Sequence, residues 1–374
     1  MKMISKRNIF LTINGLIGII LITILSLLFG SSNQPGTKEM LIAAKNMEQA
    51  LKEIQSYCIS HQINTNTAED PRNTGLIGPE WSEITTTQGD PEAKRTTINP
   101  NIAALMVHLL VEAGVKKGDT VAIGSSASFP ALLIASLSAA KAMELHPLVI
   151  FSFGSSSFGA SNPDFNVWDI YQLLLNQNIF TVFPVAASLG GEDDTGSEFD
   201  KSLKDSILMS LHKAGIPLIN EKSLPDNRLQ RTRFYFNGTP ERIKAFINSG
   251  GGYANIGSSP LVLNIKPGLV KKSRIPEPGK QGMIHEMLLQ NIPVIHLLYI
   301  KGLAQKYNLP WDPVSQPEII KQSFHLYSSS RYVGLALSII GLLWFIIVMV
   351  RYGAQFNRRE PHRFLHKTHG NNAS

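Results

Sequence analysis

The chain of 374 residues contains one cysteine, Cys58. A single cysteine excludes an internal disulfide and a cysteine-based zinc site, so the folded part must hold together by its core. No His-Glu-x-x-His pair occurs, and no histidine-based zinc hydrolase site is indicated. The Gly-Lys-Ser/Thr of a Walker loop is missing, as are the Gly-x-Gly-x-x-Gly dinucleotide fingerprint and the Gly-x-Ser-x-Gly of a hydrolase elbow. No cofactor and no metal are therefore expected.

A second absence concerns charge in two places. Ile9–Phe29 and Tyr332–Val350 carry none. Each is about 20 residues long, what a helix needs to cross roughly 30 Å of hydrocarbon. The first is longer than the usual signal-peptide core, and Phe29-Gly30-Ser31-Ser32 is a poor cleavage site, so an uncleaved anchor is expected.

The net charge of +7 sits outside the middle of the chain. Lys2, Lys6 and Arg7 precede the first stretch, and Arg351, Arg358, Arg359, Arg363 and Lys367 follow the second with Glu360. Between them 27 basic residues face 27 acidic ones. Positive charge resists translocation, which places both termini in the cytoplasm and the main domain on the other side of the membrane. The basic pI then reports topology and not nucleic-acid binding. The expected division is a cytoplasmic tail over 1–8, a membrane helix over 9–29, and a stalk helix with a polar surface segment over 30–95. An extracytoplasmic α/β domain over 96–331, a second membrane helix over 332–350 and a basic tail over 351–374 complete it.

The middle of the chain alternates strand and helix signals. Met40, Ala44, Met47, Leu51 and Ile54 give a helix over Thr37–Ser60. Asn64–Arg95 reads as a surface excursion. Asn99 and Pro100 open a helix that Gly114 stops. Thr120–Ile123, a Gly/Ser loop, the helix Ala131–Met143 and the strand His146–Phe153 form a βαβ unit. Further strands are expected at Phe180–Val185, Pro217–Ile219 and Pro293–Tyr299, with weaker ones at Ala245–Asn248 and Leu261–Ile265. The fold class is α/β, a mostly parallel three-layer sheet domain flanked by two transmembrane helices.

Five segments are candidates for chemistry or binding. Ser125, Ser126 and Ser128 lie where a strand enters a helix, a place that favours an anion, or simply a serine-capped helix. Ser155 belongs to a second Gly/Ser loop after the next strand. Asp194 stands in the Gly190–Gly196 turn, either as a base or in a solvated acidic turn. Gly250, Gly251 and Gly252 make an anion nest or a tight turn. Lys271, Lys272 and Arg274 belong to a segment, Arg228 to Lys280, with ten basic and two acidic residues. That bias would either steer a polyanion or neutralise the acidic segment Asp164 to Asp226.

Several runs together resemble the bacterial poly-gamma-glutamate system protein family. They are Leu76-Ile77-Gly78-Pro79-Glu80, Thr85-Thr86-Thr87, Glu92-Ala93-Lys94-Arg95-Thr96, Val121-Ala122-Ile123-Gly124-Ser125, the Gly190–Gly196 turn, the triple glycine with Ala254-Asn255-Ile256-Gly257, and Ile292-Pro293-Val294-Ile295-His296. The resemblance spans nearly the whole chain and implies a membrane protein that works with the poly-γ-glutamate synthase and its membrane partner subunits. It supplies no catalytic residues. The function expected is an accessory protein of poly-γ-glutamate biosynthesis or export that binds the anionic polymer or synthase partners. A γ-glutamyl hydrolase or transferase built on Ser125, Ser126 or Ser128 with Asp194 is the alternative.

Overall fold

The computed structural model describes residues 36–63 and 68–319, with short helical pieces at 17–18, 339–341, 343–344 and 346–347. The chain divides into two units, one of residues 1–34 with 325–374 and one of residues 35–324. Both long apolar stretches belong to the first unit and lie almost entirely outside the described residues. Among the described residues no helix is long and apolar enough to cross a membrane.

The second unit is an α/β domain around a seven-stranded sheet. In chain order its strands are β2 (Thr120–Ser126), β3 (His146–Ser152), β5 (Ala186–Ser188), β6 (Leu218–Ile219), β7 (Ile243–Ser249), β8 (Gly268–Val270) and β9 (Val294–His296). Across the sheet the order is β6-β5-β3-β2-β7-β9-β8, parallel throughout except for the edge strand β8 against β9. A separate parallel pair joins β1 (Thr85–Thr87) to β4 (Ser155–Ser156).

The order follows from how the chain winds. From β2 it steps outward through β3, β5 and β6, then returns to lay β7 on the other side of β2. Right-handed crossovers in opposite directions put helices on opposite faces. On one face α1 (Thr37–Ser60), α3 (Asn101–Glu112) and α4 (Pro130–Ala142) pack together. On the other, α7 (Leu224–Phe236) and α9 (Met283–Leu289) bury Tyr235, Phe236, Met283 and Met287 against Ala122, Ile150 and Phe246 of the sheet. β2 and β7 are therefore covered on both sides, and every residue of β7 except Lys244 is buried.

Local chemistry sets the boundaries, and it moves several from their expected places. Pro184 has no N–H to give a ladder, so the strand expected at Phe180–Val185 forms directly after it, at Ala186–Ser188. The weak signal at Ala245–Asn248 is a central strand of seven residues. Leu261–Ile265 is a correction: Pro260 and the capping hydroxyl of Ser259 start a 3-10 helix at Pro260–Asn264, and the strand follows at β8.

The segment after α1 also differs from the surface excursion expected of it. Leu76, Ile77 and Ile84 are each 1% exposed, and they tie β1 and α2 (Pro91–Thr97) into the domain. α1 itself docks along one face with Met47, Ala50 and Ile54 fully buried. Its Cys58 is buried, and burial pushes the thiol up to about 11, so it is a packing group and not a nucleophile.

Candidate functional site

In a doubly wound sheet, ligands collect outside the carboxyl ends of the strands, where the winding direction reverses. Here that point lies between β2 and β7, and a cavity of about 390 Å³ opens there. Five chain segments form its wall. Ser126, Ser128 and Phe129 come from the end of β2, and Ser152, Gly154 and Ser156 from the end of β3 and from β4. Gly251, Gly252 and Tyr253 follow β7, and Thr86, Thr87 and Gln88 come from β1. Gly191, Glu192 and Glu198 come from the turn after β5.

Close backbone approach makes this gathering possible. A Cβ on Gly250 would stand 2.3 Å from Ser126 Oγ, and one on Gly154 2.9 Å from the Gly191 nitrogen. Both positions need glycine for contact with a neighbouring loop. Gly252 is different: a Cβ there would meet Ser152 Oγ at 3.6 Å and Ser126 Cβ at 3.7 Å, ordinary contact distances. The amides of Gly251 and Gly252 donate to no acceptor among the described residues. Ser126 Oγ is buried and also without a partner among them. A polar ligand in the cavity would satisfy such groups.

The centre of the wall is a buried lysine. Lys94, on α2, is 2% exposed. Its Nζ lies 2.6 Å from Ser156 Oγ, donates to the Ser128 carbonyl and stands 3.8 Å from the centre of the Phe129 ring. It makes no ion pair among the described residues. Burial lowers the ammonium to about 7, with Asp90 at the helix start pulling weakly the other way. The Ser156 amide donates to Ser128 Oγ at 2.9 Å, which locks the two Gly/Ser loops together.

The residues singled out from sequence divide by this geometry. Ser126, Ser128, Gly251 and Gly252 line the cavity, and Gly250 supports it from behind Ser126. Ser125 and Ser155 are buried, with hydroxyls turned to the carbonyls of Ser126 and Ser156. Asp194 is elsewhere in role: it is buried, accepts from Ser188 Oγ at 2.7 Å and pairs with Arg231 Nη2 at 2.5 Å. Burial pushes this carboxyl up while Arg231 opposes it. With its oxygens so committed, Asp194 is a structural ion, while Glu192 and Asp193 beside it are exposed, as in a solvated acidic turn. The serine–Asp194 pair is not assembled.

Lys271, Lys272 and Arg274 surround a second cavity of about 490 Å³ beside the edge strand β8, together with Lys266. All four cations are exposed and none forms an ion pair among the described residues. His296 accepts from Asn248 Nδ2 at 3.1 Å, and burial lowers it to about 4, so it is a neutral core histidine.

Lys94 and Glu198 were not singled out from sequence as site residues, although Lys94 stands in the run Glu92–Thr96; Ser152, Ser156 and Glu192 were legible only as members of the second Gly/Ser loop and the acidic turn. A lysine in a short polar helix gives no sign of burial. The apolar residues Leu76, Ile77 and Ile84 upstream were the available hint. Among the described residues no group of His, Cys, Asp and Glu is placed to hold a metal ion. Comparison with protein-family models, curated proteins and solved structures returned no match.

Proposed function

We propose that this chain is a membrane-anchored accessory protein of poly-γ-glutamate biosynthesis or export, whose extracytoplasmic α/β domain binds a γ-glutamyl chain. The two charge-free stretches and the basic termini support the anchoring and its direction. The seven motif runs support the system in which it works, with the synthase and its membrane subunits as partners.

The observation that carries the binding role is the switch-point cavity, lined by Gly251 and Gly252, whose amides donate to no acceptor among the described residues. These donors suit amide carbonyls and single carboxylates. Glu192 and Glu198 on the same wall disfavour a run of carboxylates there. The rest of a polyanion fits the four exposed cations around β8 better.

The test uses the full-length chain in detergent micelles and γ-glutamate oligomers of defined length, followed by native mass spectrometry. Intact oligomers should bind. Gly252→Leu fills the cavity without backbone strain, since Gly252 has φ −59°, and is expected to weaken binding at least tenfold. Charge reversal of Lys271, Lys272 and Arg274 should weaken long oligomers more than short ones and lower the salt dependence. Equal binding by wild type and Gly252→Leu would sink the cavity's role.

A further inference from the structure

We propose that Ser156 is an acyl-transfer nucleophile and Lys94 its general base, acting on the amide or ester carbonyl of a ligand held in the switch-point cavity. The inference rests on the cavity being the ligand site and does not depend on the ligand being a γ-glutamyl chain.

Three features of geometry support it. First, the pair is at reacting distance, with Lys94 Nζ 2.6 Å from Ser156 Oγ. A nucleophile and a base within hydrogen-bond reach, the base held by further contacts, is the arrangement that activates a hydroxyl. Second, the two groups are layered correctly. Ser156 is on the cavity wall, whereas Lys94 is buried behind it and fixed by the Ser128 carbonyl and the Phe129 ring. Third, the lysine has no carboxylate in contact among the described residues. The groups packed against it from neighbouring segments, Ser128, Phe129 and Ser156, are uncharged, and Asp90 on its own helix start is the charged group that acts on it. A purely structural lysine buried at this depth would be expected to carry a paired carboxylate. Burial brings this amine to about 7, where a base operates best near neutrality.

The steps balance without any further reactant than water. Ser156 Oγ bonds to the carbonyl carbon as its proton passes to Lys94 Nζ. The tetrahedral oxyanion faces a wall that includes the unpaired amides of Gly251 and Gly252. The bond from the carbonyl carbon to the leaving nitrogen or oxygen then breaks, and the leaving group takes the proton from Lys94. Water attacks the acyl-Ser156 ester and gives a proton to Lys94, which returns it to Ser156 Oγ as the acid departs. An amine in place of that water gives transfer instead of hydrolysis.

A fluorophosphonate probe tests the dyad directly, because its phosphorus bonds to an activated serine Oγ and expels fluoride. The full-length chain in micelles is incubated with the probe, digested and mapped by mass spectrometry. The expected adduct is on Ser156, with a labelling rate that rises with pH through an inflection near 7. Ser156→Ala should abolish it, and Lys94→Met should slow it at least a hundredfold, in line with the usual contribution of a general base. Thermal unfolding of both variants checks that they are folded. An adduct on another serine, no adduct, or labelling unchanged in folded Lys94→Met would overturn the proposal. Binding of γ-glutamate oligomers by Ser156→Ala separates the two readings. Oligomers bound without any probe adduct in wild type would remove the dyad and leave the binder. An adduct on Ser156 without oligomer binding would keep the dyad and remove the polymer as its ligand.

Discussion

Replacing Asp194 with alanine is expected to cost about 3–5 kcal/mol of folding stability, the usual result of removing one partner from a buried ion pair. The side chains of Arg231 and Asp194 are only 2% and 3% exposed. Arg231 Nε and Nη1 have no partner among the described residues, so Nη2 carries its contacts, to Asp194 and Ser188. Without the carboxylate a guanidinium that cannot lose its proton stays buried and uncompensated. The turn would suffer as well, because Asp194 sits at φ 64° between glycines at positive φ. The double variant Asp194→Ala with Arg231→Met should recover much of the loss, because it removes the stranded charge. Chemical denaturation read by tryptophan fluorescence measures both. A single variant within about 1 kcal/mol of wild type would contradict a buried pair.

Lys94→Met is expected to act in the opposite direction. The ammonium titrates near 7 in the folded protein and at 10.5 unperturbed. Below about 7 both states hold the proton, and the folded state bears the full cost of burying the charge. Between about 7 and 10.5 the unfolded chain binds a proton that the folded chain lacks, so stability rises with pH. Methionine keeps the length of the side chain without the charge. The variant should be more stable than wild type at pH 6 by a few kcal/mol, and the difference should shrink as pH rises toward 9. Unfolding midpoints at pH 6, 7, 8 and 9 decide it. A variant less stable than wild type at pH 6 would mean that the lysine is held charged by a partner.

Much of the sheet was legible because its strands report burial. β2 and β3 are short apolar runs flanked by glycine and serine, and a helix of small apolar residues between them has one place to go. β7 was weakly read because Lys244 and Asn248 interrupt it, yet Asn248 Nδ2 donates to His296 Nδ1 across the ladder to β9. The 3-10 turn at Pro260–Asn264 has the apolar residues of a strand, and only the proline distinguishes it.

The site was half legible for a similar reason. Loops at strand ends announce themselves through glycine and serine, so Ser126, Ser128, Gly251 and Gly252 were found. Lys94 and Ser156 meet across 62 positions of sequence, and nothing local marks a lysine that will be buried. Asp194 failed in the other direction. Its acidic neighbours Glu192 and Asp193 suggested solvent, but its partner is Arg231 on a helix 37 residues later.

Hydrogen–deuterium exchange on the full-length chain, with and without a γ-glutamate oligomer, tests the central claim most directly. The Gly251 and Gly252 amides have no acceptor among the described residues and belong to the cavity wall, so they report its occupation. The account predicts that the oligomer slows exchange in the peptide covering 250–253 and in those covering 86–88, 126–129 and 154–156. Protection confined to 266–274, or found nowhere in the domain, would contradict a ligand at the switch point.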